Sequence, residues 1–136
     1  MPQDDLDRLR EGYAAFNRGD LGAVLDSVAP GFVLTDREEV PDPGTYRGLE
    51  ETLEAFGGVR AEFDDYVIEP VEMVDGGDWV VVTAHQSGVG KASGVRVEGE
   101  VFHLWRVRDG KAVGLHAFST REEALAAAED PGWPSS

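Results

Sequence analysis

Two side chains, far apart in the sequence, could perform acid–base chemistry. His103 lies inside the apolar stretch "GEVFHLWRVRDGK", and Asp36 ends the stretch "FVLTD". A histidine titrates near neutral pH, so one that faces a pocket can donate or accept a proton, and a carboxylate can take or relay it. The alternatives are a hydrogen-bonded core residue for His103 and, for Asp36, an exposed strand-end carboxylate or a cap for the following loop.

The alternation of a β-strand decides which way His103 points. One face of the predicted strand carries Val101, His103 and Trp105, and the other carries Phe102, Leu104 and Arg106. The first face is the more apolar along the whole strand, so we expect it to pack against helices and to place His103 on the interior side. By the same parity His85 and His116 lie on the outer face, which argues against a zinc site built from the three histidines.

Helical spacing of apolar residues and turn-forming residues define the helices. We predict four helices. The first covers 5–18, the second begins at Asp20 and ends at Pro30-Gly31, and the third begins at 49 and ends at Gly57-Gly58. The fourth follows a capping box formed by Thr120 and Glu123.

Runs of Val and aromatic residues predict the strands. These cover 32–36, 66–74, 79–87, 95–108 and 112–119. Hairpin turns are expected at 75–78 and 109–110, a flexible hairpin tip at 88–94 and a loop over 37–48. Helices segregated from an antiparallel sheet indicate an α+β fold. We expect a single domain over 1–136, with a core over 5–129 and an irregular tail over 130–136.

The composition limits the classes of partner. Of 136 residues, 27 are acidic and 12 basic, giving a formal net charge of −15. Such a surface repels nucleic acid and anionic lipid, so neither is an expected partner. The chain has no cysteine, hence no thiolate metal site, and no apolar run that reaches the ~18 residues of a membrane span. We therefore expect a soluble, cytoplasmic protein.

The order and spacing of four stretches resemble the SnoaL-like family of the nuclear-transport-factor-2-like superfamily. The stretches are "YAAFNRGDLGAVLDSVAPGFVLTD", "YRGLEETLEAF", "GEVFHLWRVRDGKAV" and "STREEALAAA", and together the resemblance spans about residues 5–129. It implies a cone-shaped α+β barrel in which a curved antiparallel sheet wraps around N-terminal helices and encloses a pocket. Members of the family are commonly dimers and usually need no cofactor.

The resemblance also implies roles for particular residues. Asp36 falls where ketosteroid isomerases carry their general base. His103 falls where those isomerases carry an oxyanion-binding Asp and where polyketide cyclases of this family carry a pocket His. Two positions depart from the pattern: Gly12 replaces the isomerase Tyr, and Ala117 replaces the cyclase catalytic Asp.

We therefore expect a small-molecule enzyme that isomerises, cyclises or dehydrates an apolar or polyketide-like substrate, without cofactor or metal. Asp36 and His103 are the expected catalytic residues. The expected substrate-binding walls are Tyr13, Phe16, Trp105, Leu115, Ala117 and Ser119. The alternative is a non-catalytic small-molecule-binding or dimerisation module of the same fold.

The outer face of the sheet predicts a homodimer. Alternation places Phe102, Leu104 and Phe118 on that face, and a large apolar patch left in water is unfavourable by roughly 25 cal/mol per Å². A second copy of the chain is the expected cover.

Overall fold

The computed structural model describes residues 1–37 and 44–134. The helices of this part are α1 (Gln3–Asn17), α2 (Leu21–Asp26), α3 (Gly48–Glu62) and α4 (Arg121–Ala128). The strands are β1 (Val28–Thr35), β2 (Thr45–Arg47), β3 (Phe63–Asp75), β4 (Trp79–Gly90), β5 (Arg96–Arg108) and β6 (Lys111–Phe118). Residues 38–43 of the predicted loop and 135–136 of the predicted tail lie outside the described residues. None of the described helices is long and apolar enough to cross a bilayer.

The six strands form one curved, unclosed sheet in the order β2-β1-β6-β5-β4-β3. The α+β class and the cone-like arrangement are therefore confirmed, with one difference. β1 runs parallel to β6, whereas every other pairing among these strands is antiparallel. The sheet is mixed because β1 comes from the helical half of the chain and joins the sheet beside its last strand. Irregular register in β3–β4 and β5–β6 is of the kind that bends strands.

The N-terminal helices follow the predicted pattern. α1 buries Leu9 and Tyr13 against the concave face of the sheet. Just beyond its end, Gly19 takes the left-handed backbone (φ +80°) that favours glycine. Asp20 then caps α2, since its carboxylate accepts a hydrogen bond of 3.1 Å from the Ala23 N–H.

Two predicted helix ends are wrong. α2 ends at Asp26, and Pro30-Gly31 lies inside β1, where the register against β6 shifts between Val28 and Val33. α3 continues through Gly57-Gly58 to Glu62. A tertiary contact offsets the low helix propensity of the two glycines, because Arg60 donates to the carbonyl oxygen of Phe16 (2.5 Å) near the end of α1.

The outer face of the sheet is covered in part by the chain itself. α4 is capped by Thr120, whose hydroxyl oxygen accepts from the Glu123 N–H, and it packs against β4, β5 and β6. Leu104 is fully buried beneath it, while Phe102 and Phe118 are half-buried around the same cluster. The expectation that Phe102, Leu104 and Phe118 form an open patch is wrong, because α4 packs over this part of the outer face.

Arg106 ties the C-terminal segment to that outer face. Its side chain is 4% exposed and pairs with Asp78 at 3.0 Å. It also donates to the carbonyl oxygens of Ala128 (3.3 Å) and Asp130 (3.2 Å) at the end of α4. The predicted outward direction of Arg106 therefore holds, and the arginine serves to dock α4.

Candidate functional site

A cavity of about 660 Å³ lies between the concave face of the sheet and helices α1 to α3. Seven of the eight predicted site residues line it: Tyr13, Phe16, Asp36, His103, Trp105, Leu115 and Ala117. Ser119 follows β6 and is not among the lining residues. The walls are largely aliphatic and aromatic, which suits a small apolar molecule.

Two consecutive hydrogen bonds link Trp105 to Tyr13 and Tyr13 to His103. The Trp105 indole N–H donates to the Tyr13 hydroxyl oxygen (3.0 Å), and that hydroxyl lies 2.6 Å from Nδ1 of His103. The Tyr13 and His103 rings are stacked, with centroids 5.8 Å apart. The Tyr13 hydroxyl proton has no other acceptor among the described residues, so we assign it to His103 Nδ1, which then accepts.

Burial sets the protonation of this chain. Burial lowers the pKa of His103 to about 4, and burial raises the pKa of Tyr13 well above its usual value, outweighing the opposing effect of the Trp105 hydrogen bond. At neutral pH the imidazole is therefore uncharged and Tyr13 keeps its proton. With Nδ1 accepting from Tyr13, the remaining imidazole proton sits on Nε2.

The Nε2–H group of His103 is available to a bound molecule. It makes no hydrogen bond to any residue within 1–37 or 44–134, and His103 is only half-buried on the cavity wall. A neutral imidazole N–H held in a low-dielectric cavity can donate to a carbonyl oxygen, or to the oxyanion that develops from it. The arrangement therefore makes His103 a donor and a weak base.

Asp36 lies on the same cavity, one position beyond β1. Thr35 pairs with His116, so Asp36 falls level with Ala117, whose partner on β5 is His103. Two strand spacings separate the Asp36 and His103 backbones, roughly 10 Å. That gap leaves room for a substrate between a carboxylate and the imidazole.

The Asp36 carboxylate has a second task. Its Oδ2 accepts from the Gly44 N–H (3.2 Å), and the Asp36 N–H donates to the Gly44 carbonyl oxygen (3.0 Å). Asp36 therefore closes the loop between β1 and β2, as its alternative interpretation as a loop cap predicted. The other carboxylate oxygen makes no hydrogen bond to the described residues, and the Asp36 side chain lines the cavity.

Gly12 and Tyr13 both line the cavity, and a Cβ placed on Gly12 would meet no atom within 4 Å. The hydroxyl of Tyr13, one residue after the position of the isomerase Tyr, lies against His103 Nδ1. No carboxylate replaces the missing one at Ala117 among the residues described on β6.

Sequence reasoning missed a second polar group on the cavity wall. The Tyr66 hydroxyl donates to Gln86 Oε1 (2.7 Å), and both side chains line the cavity with Arg37. Gln86 shares the inward face of β4 with Val80, Val82 and Ala84, all of which belong to the core. Alternation along β4 was therefore the signal that could have found it.

The other histidines lie away from the cavity. His85 pairs with Glu98 at 3.2 Å on the exposed outer face, and His116 stacks on Phe118 with centroids 4.0 Å apart. Across the described residues, no three side chains of the His, Cys, Asp or Glu type converge as metal ligands.

Known proteins share this architecture. The sequence pattern of the SnoaL-like domain matches residues 9–115, and no curated protein matches the chain. A solved nuclear-transport-factor-2-like protein from Burkholderia thailandensis is 31% identical over 96% of this chain and 100% of that chain, with a TM-score of 0.77. IdmH from Streptomyces antibioticus, a candidate polyketide cyclase, is 27% identical over 91% of this chain and 97% of that chain, with a TM-score of 0.74.

A third structure is similar in fold alone. TerC, co-crystallised with polyporic acid, is 22% identical over 92% of this chain and 97% of that chain, with a TM-score of 0.76. The match of the domain pattern covers most of the sequence, and the folds agree along nearly the whole chain. The chain therefore belongs to the SnoaL-like family of the nuclear-transport-factor-2-like superfamily.

Proposed function

We propose that the chain is a cofactor-free enzyme that enolises an apolar carbonyl compound of the polyketide type, and so isomerises, cyclises or dehydrates it. The observation that carries the proposal is the hydrogen-bonded chain from Trp105 through Tyr13 to His103. It fixes a neutral imidazole with its Nε2–H toward the cavity. Such a preorganised donor is useful where negative charge develops on a carbonyl oxygen.

The chemical step needs a base opposite that donor. Asp36 removes a proton from the carbon beside the carbonyl, the C–H electron pair moves into the new C=C bond, and the carbonyl π electrons move onto oxygen. His103 Nε2–H hydrogen-bonds the resulting enolate. The proton on Asp36 then returns to another carbon for isomerisation, or to a leaving hydroxyl for dehydration. In a cyclisation the enolate carbon attacks a second carbonyl, whose π electrons move onto its oxygen, and the alkoxide formed takes the proton from Asp36.

Similar proteins support the substrate class. IdmH is a candidate polyketide cyclase, and TerC was co-crystallised with polyporic acid. The aromatic and aliphatic lining of the present cavity fits a ligand of that kind.

Hydrogen–deuterium exchange of 1-tetralone in D₂O, followed by NMR, tests the proposal. The wild-type protein should accelerate exchange of the protons beside the carbonyl. Asp36→Asn should slow the catalysed exchange by about 10²–10⁴-fold, the contribution of a positioned base. His103→Phe should slow it by about 10²–10³-fold, since it removes the oxyanion donor. His85→Gln, on the outer face, is the control and should leave the rate unchanged.

A binding module is the second candidate, and one observation favours it. Asp36 is already engaged by Gly44, and the position of the cyclase carboxylate is Ala117. A module of this kind would bind 1-tetralone without accelerating exchange above the rate in buffer. That result would exclude the enzyme and retain the cavity.

We also propose a homodimer that uses the part of the outer sheet face beyond α4. Phe102, at the margin of the cluster under α4, is only half-buried, and Val71 on β3 is 58% exposed. Light scattering at micromolar concentration should give twice the chain mass of 14.7 kDa. A monomer at that concentration contradicts the proposal.

A further inference from the structure

The cavity has a second polar end, built like the first. At each end a tyrosine hydroxyl donates to a polar side chain of the sheet: Tyr13 to His103, and Tyr66 to Gln86. Burial raises the pKa of Tyr66 to about 12, against a smaller opposing effect of Arg37, so this hydroxyl also keeps its proton. Both tyrosines therefore act as fixed donors that orient the group beside them.

Gln86 is oriented to donate into the cavity. Its Oε1 is occupied by the Tyr66 hydroxyl, so its NH₂ group must point elsewhere. That NH₂ group makes no hydrogen bond within the described ranges, and Gln86 lines the cavity. The result is a pair of N–H donors turned toward a bound molecule.

Arg37 adds positive charge at the same end. Its half-buried side chain lines the cavity, and its charge acts on the Tyr66 hydroxyl. Among the described lining residues it is the one Lys or Arg, and it shares the cavity wall with three carboxylates, Asp36, Glu54 and Glu62. Arginine beside amide donors favours an anionic oxygen over a neutral one.

The two ends are separated along the sheet. His103 pairs with Val82, and Gln86 lies four residues further along β4, which corresponds to roughly 13 Å. The wall between them is apolar, with Ile68 and Val101 among its residues. A ligand that reaches both ends needs an elongated, apolar body with an oxygen acceptor at each end.

We propose that Arg37 and Gln86, with Tyr66 holding Gln86, form a carboxylate-binding subsite, so that the substrate is an elongated apolar carbonyl compound bearing an ionised acid at its far end. The inference rests on the proposed function for the end at His103. It adds the substrate's charge and the distance between its two polar groups. Arg37 and Gln86 are then the residues that select the substrate, while Asp36 and His103 act on it.

Paired probes test the subsite by isothermal titration calorimetry. Anthraquinone-2-carboxylate and anthraquinone-2-carboxamide share one apolar body and differ in charge. The wild type should bind the carboxylate at least about 10-fold more tightly, the size expected for a hydrogen bond to a charged group. Arg37→Gln and Gln86→Leu should each bring the affinity ratio toward one, and Tyr66→Phe should lower it partially.

Gln86→Glu is the sharper variant, because it keeps the size of the side chain and the acceptor for Tyr66. It should reverse the preference in favour of the carboxamide. His85→Leu, the neighbouring residue on the outer face of β4, is the matched control and should leave the ratio unchanged. His103→Phe should weaken both probes to a similar extent.

The outcomes separate this inference from the proposed function. Equal affinity for the two probes in the wild type, or a ratio unaffected by Arg37→Gln and Gln86→Glu, overturns the carboxylate subsite even if 1-tetralone exchange is catalysed. A carboxylate preference without catalysed exchange retains the subsite and overturns the enzyme. Failure of both probes to bind overturns the subsite, and the enzyme then stands or falls with the 1-tetralone exchange alone.

Discussion

β5 has one face that is packed and one that is left open. On the outer face Leu104 is fully buried. The two terminal nitrogens of Arg106 donate hydrogen bonds to Asp78 and to carbonyl oxygens at the end of α4. On the inner face His103 and Trp105 border a cavity of about 660 Å³. The two faces belong to the same thirteen-residue strand and differ only in parity.

The difference separates the residues that stabilise the fold from those that can bind a molecule. On the outer face, the terminal nitrogens of Arg106 bind Asp78 and backbone carbonyl oxygens, while its Nε is buried without a hydrogen bond to the described residues. Polar groups of the inner face, His103 and Gln86, each have one atom held by a tyrosine and another turned to the cavity. A hydrogen-bonding atom without a protein partner is inefficient for stability and useful for recognition.

A matched pair of cavity-forming substitutions tests the difference most strongly. Leu104→Ala should lower the free energy of unfolding by about 4 kcal/mol, since it opens a void in a filled cluster. Leu115→Ala, on the inner face of the adjacent strand, should cost about 2 kcal/mol, because that side chain already borders the cavity. Urea unfolding measures both. Equal losses would mean that the inner face is packed as tightly as the outer.

The pH dependence of stability should reveal His103. Its pKa of about 4 in the folded state lies below the unfolded value of 6.5, so between these values the unfolded chain binds a proton that the native state does not. Stability is therefore full above pH 6.5 and falls toward pH 4, by about 3 kcal/mol from this residue.

The comparison is made between wild type and His103→Gln, by urea unfolding at a series of pH values. The variant should not show the part of the decrease in the free energy of unfolding, between pH 6.5 and pH 4, that comes from His103. His85→Gln, on the outer face, should behave as the wild type does. Parallel curves for wild type and His103→Gln would contradict a neutral imidazole on the cavity wall.

Tyr13→Phe tests the hydrogen-bonded chain itself. It leaves Trp105 Nε1 and His103 Nδ1 without their partner and should cost about 2 kcal/mol. It should also mix the two imidazole tautomers, which ¹⁵N NMR resolves. The matched outer-face change, His85→Ala, breaks an exposed contact with Glu98 and should cost below about 0.5 kcal/mol. A single Nε2–H tautomer in Tyr13→Phe would show that Tyr13 does not set it.

The smallest expected effect is the coupling of Asp36 to His103. Asp36→Asn removes a negative charge roughly 10 Å away and should lower the pKa of His103 by a few tenths, as NMR titration can follow. The titrations of His85 and His116 serve as internal references. An unchanged His103 titration would remove Asp36 from the electrostatics of the imidazole and favour its role as a loop cap.

Strand parity carried much of the prediction from sequence. Because successive side chains of a strand alternate strictly, the apolar pattern around Val101 and Trp105 was enough to turn His103 inward. The same logic placed Arg106 outside. Local signals also fixed the Asp109-Gly110 turn, where both residues have positive φ (52° and 76°) as a tight hairpin requires.

The features that the sequence did not predict depend on contacts between residues that are distant in the sequence. Nothing near Gly57 indicates that Arg60 will hold the helix together through α1. Likewise, the pattern of α4 shows an apolar stripe but not that Leu104 will receive it. Gln86 could be placed inside by parity, whereas its orientation depends on Tyr66, twenty residues earlier. Such pairings depend on the assembled fold, which a local pattern does not encode.

The parallel pairing of β1 with β6 has a consequence for how the protein is made. Leu34 on β1 lies beside Leu115 on β6, which is synthesised near the end of the chain. The edge of β1 that faces β6 therefore stays unpaired until then. Contacts this distant in sequence form slowly, and an unpaired strand edge is exposed until they do. The cavity wall that joins Asp36 to Ala117 and His103 therefore cannot form until β6 has been synthesised. On the ribosome, α1 to α3 and the β3–β4–β5 meander can form before β6 emerges, whereas the cavity wall is complete only once β6 has paired.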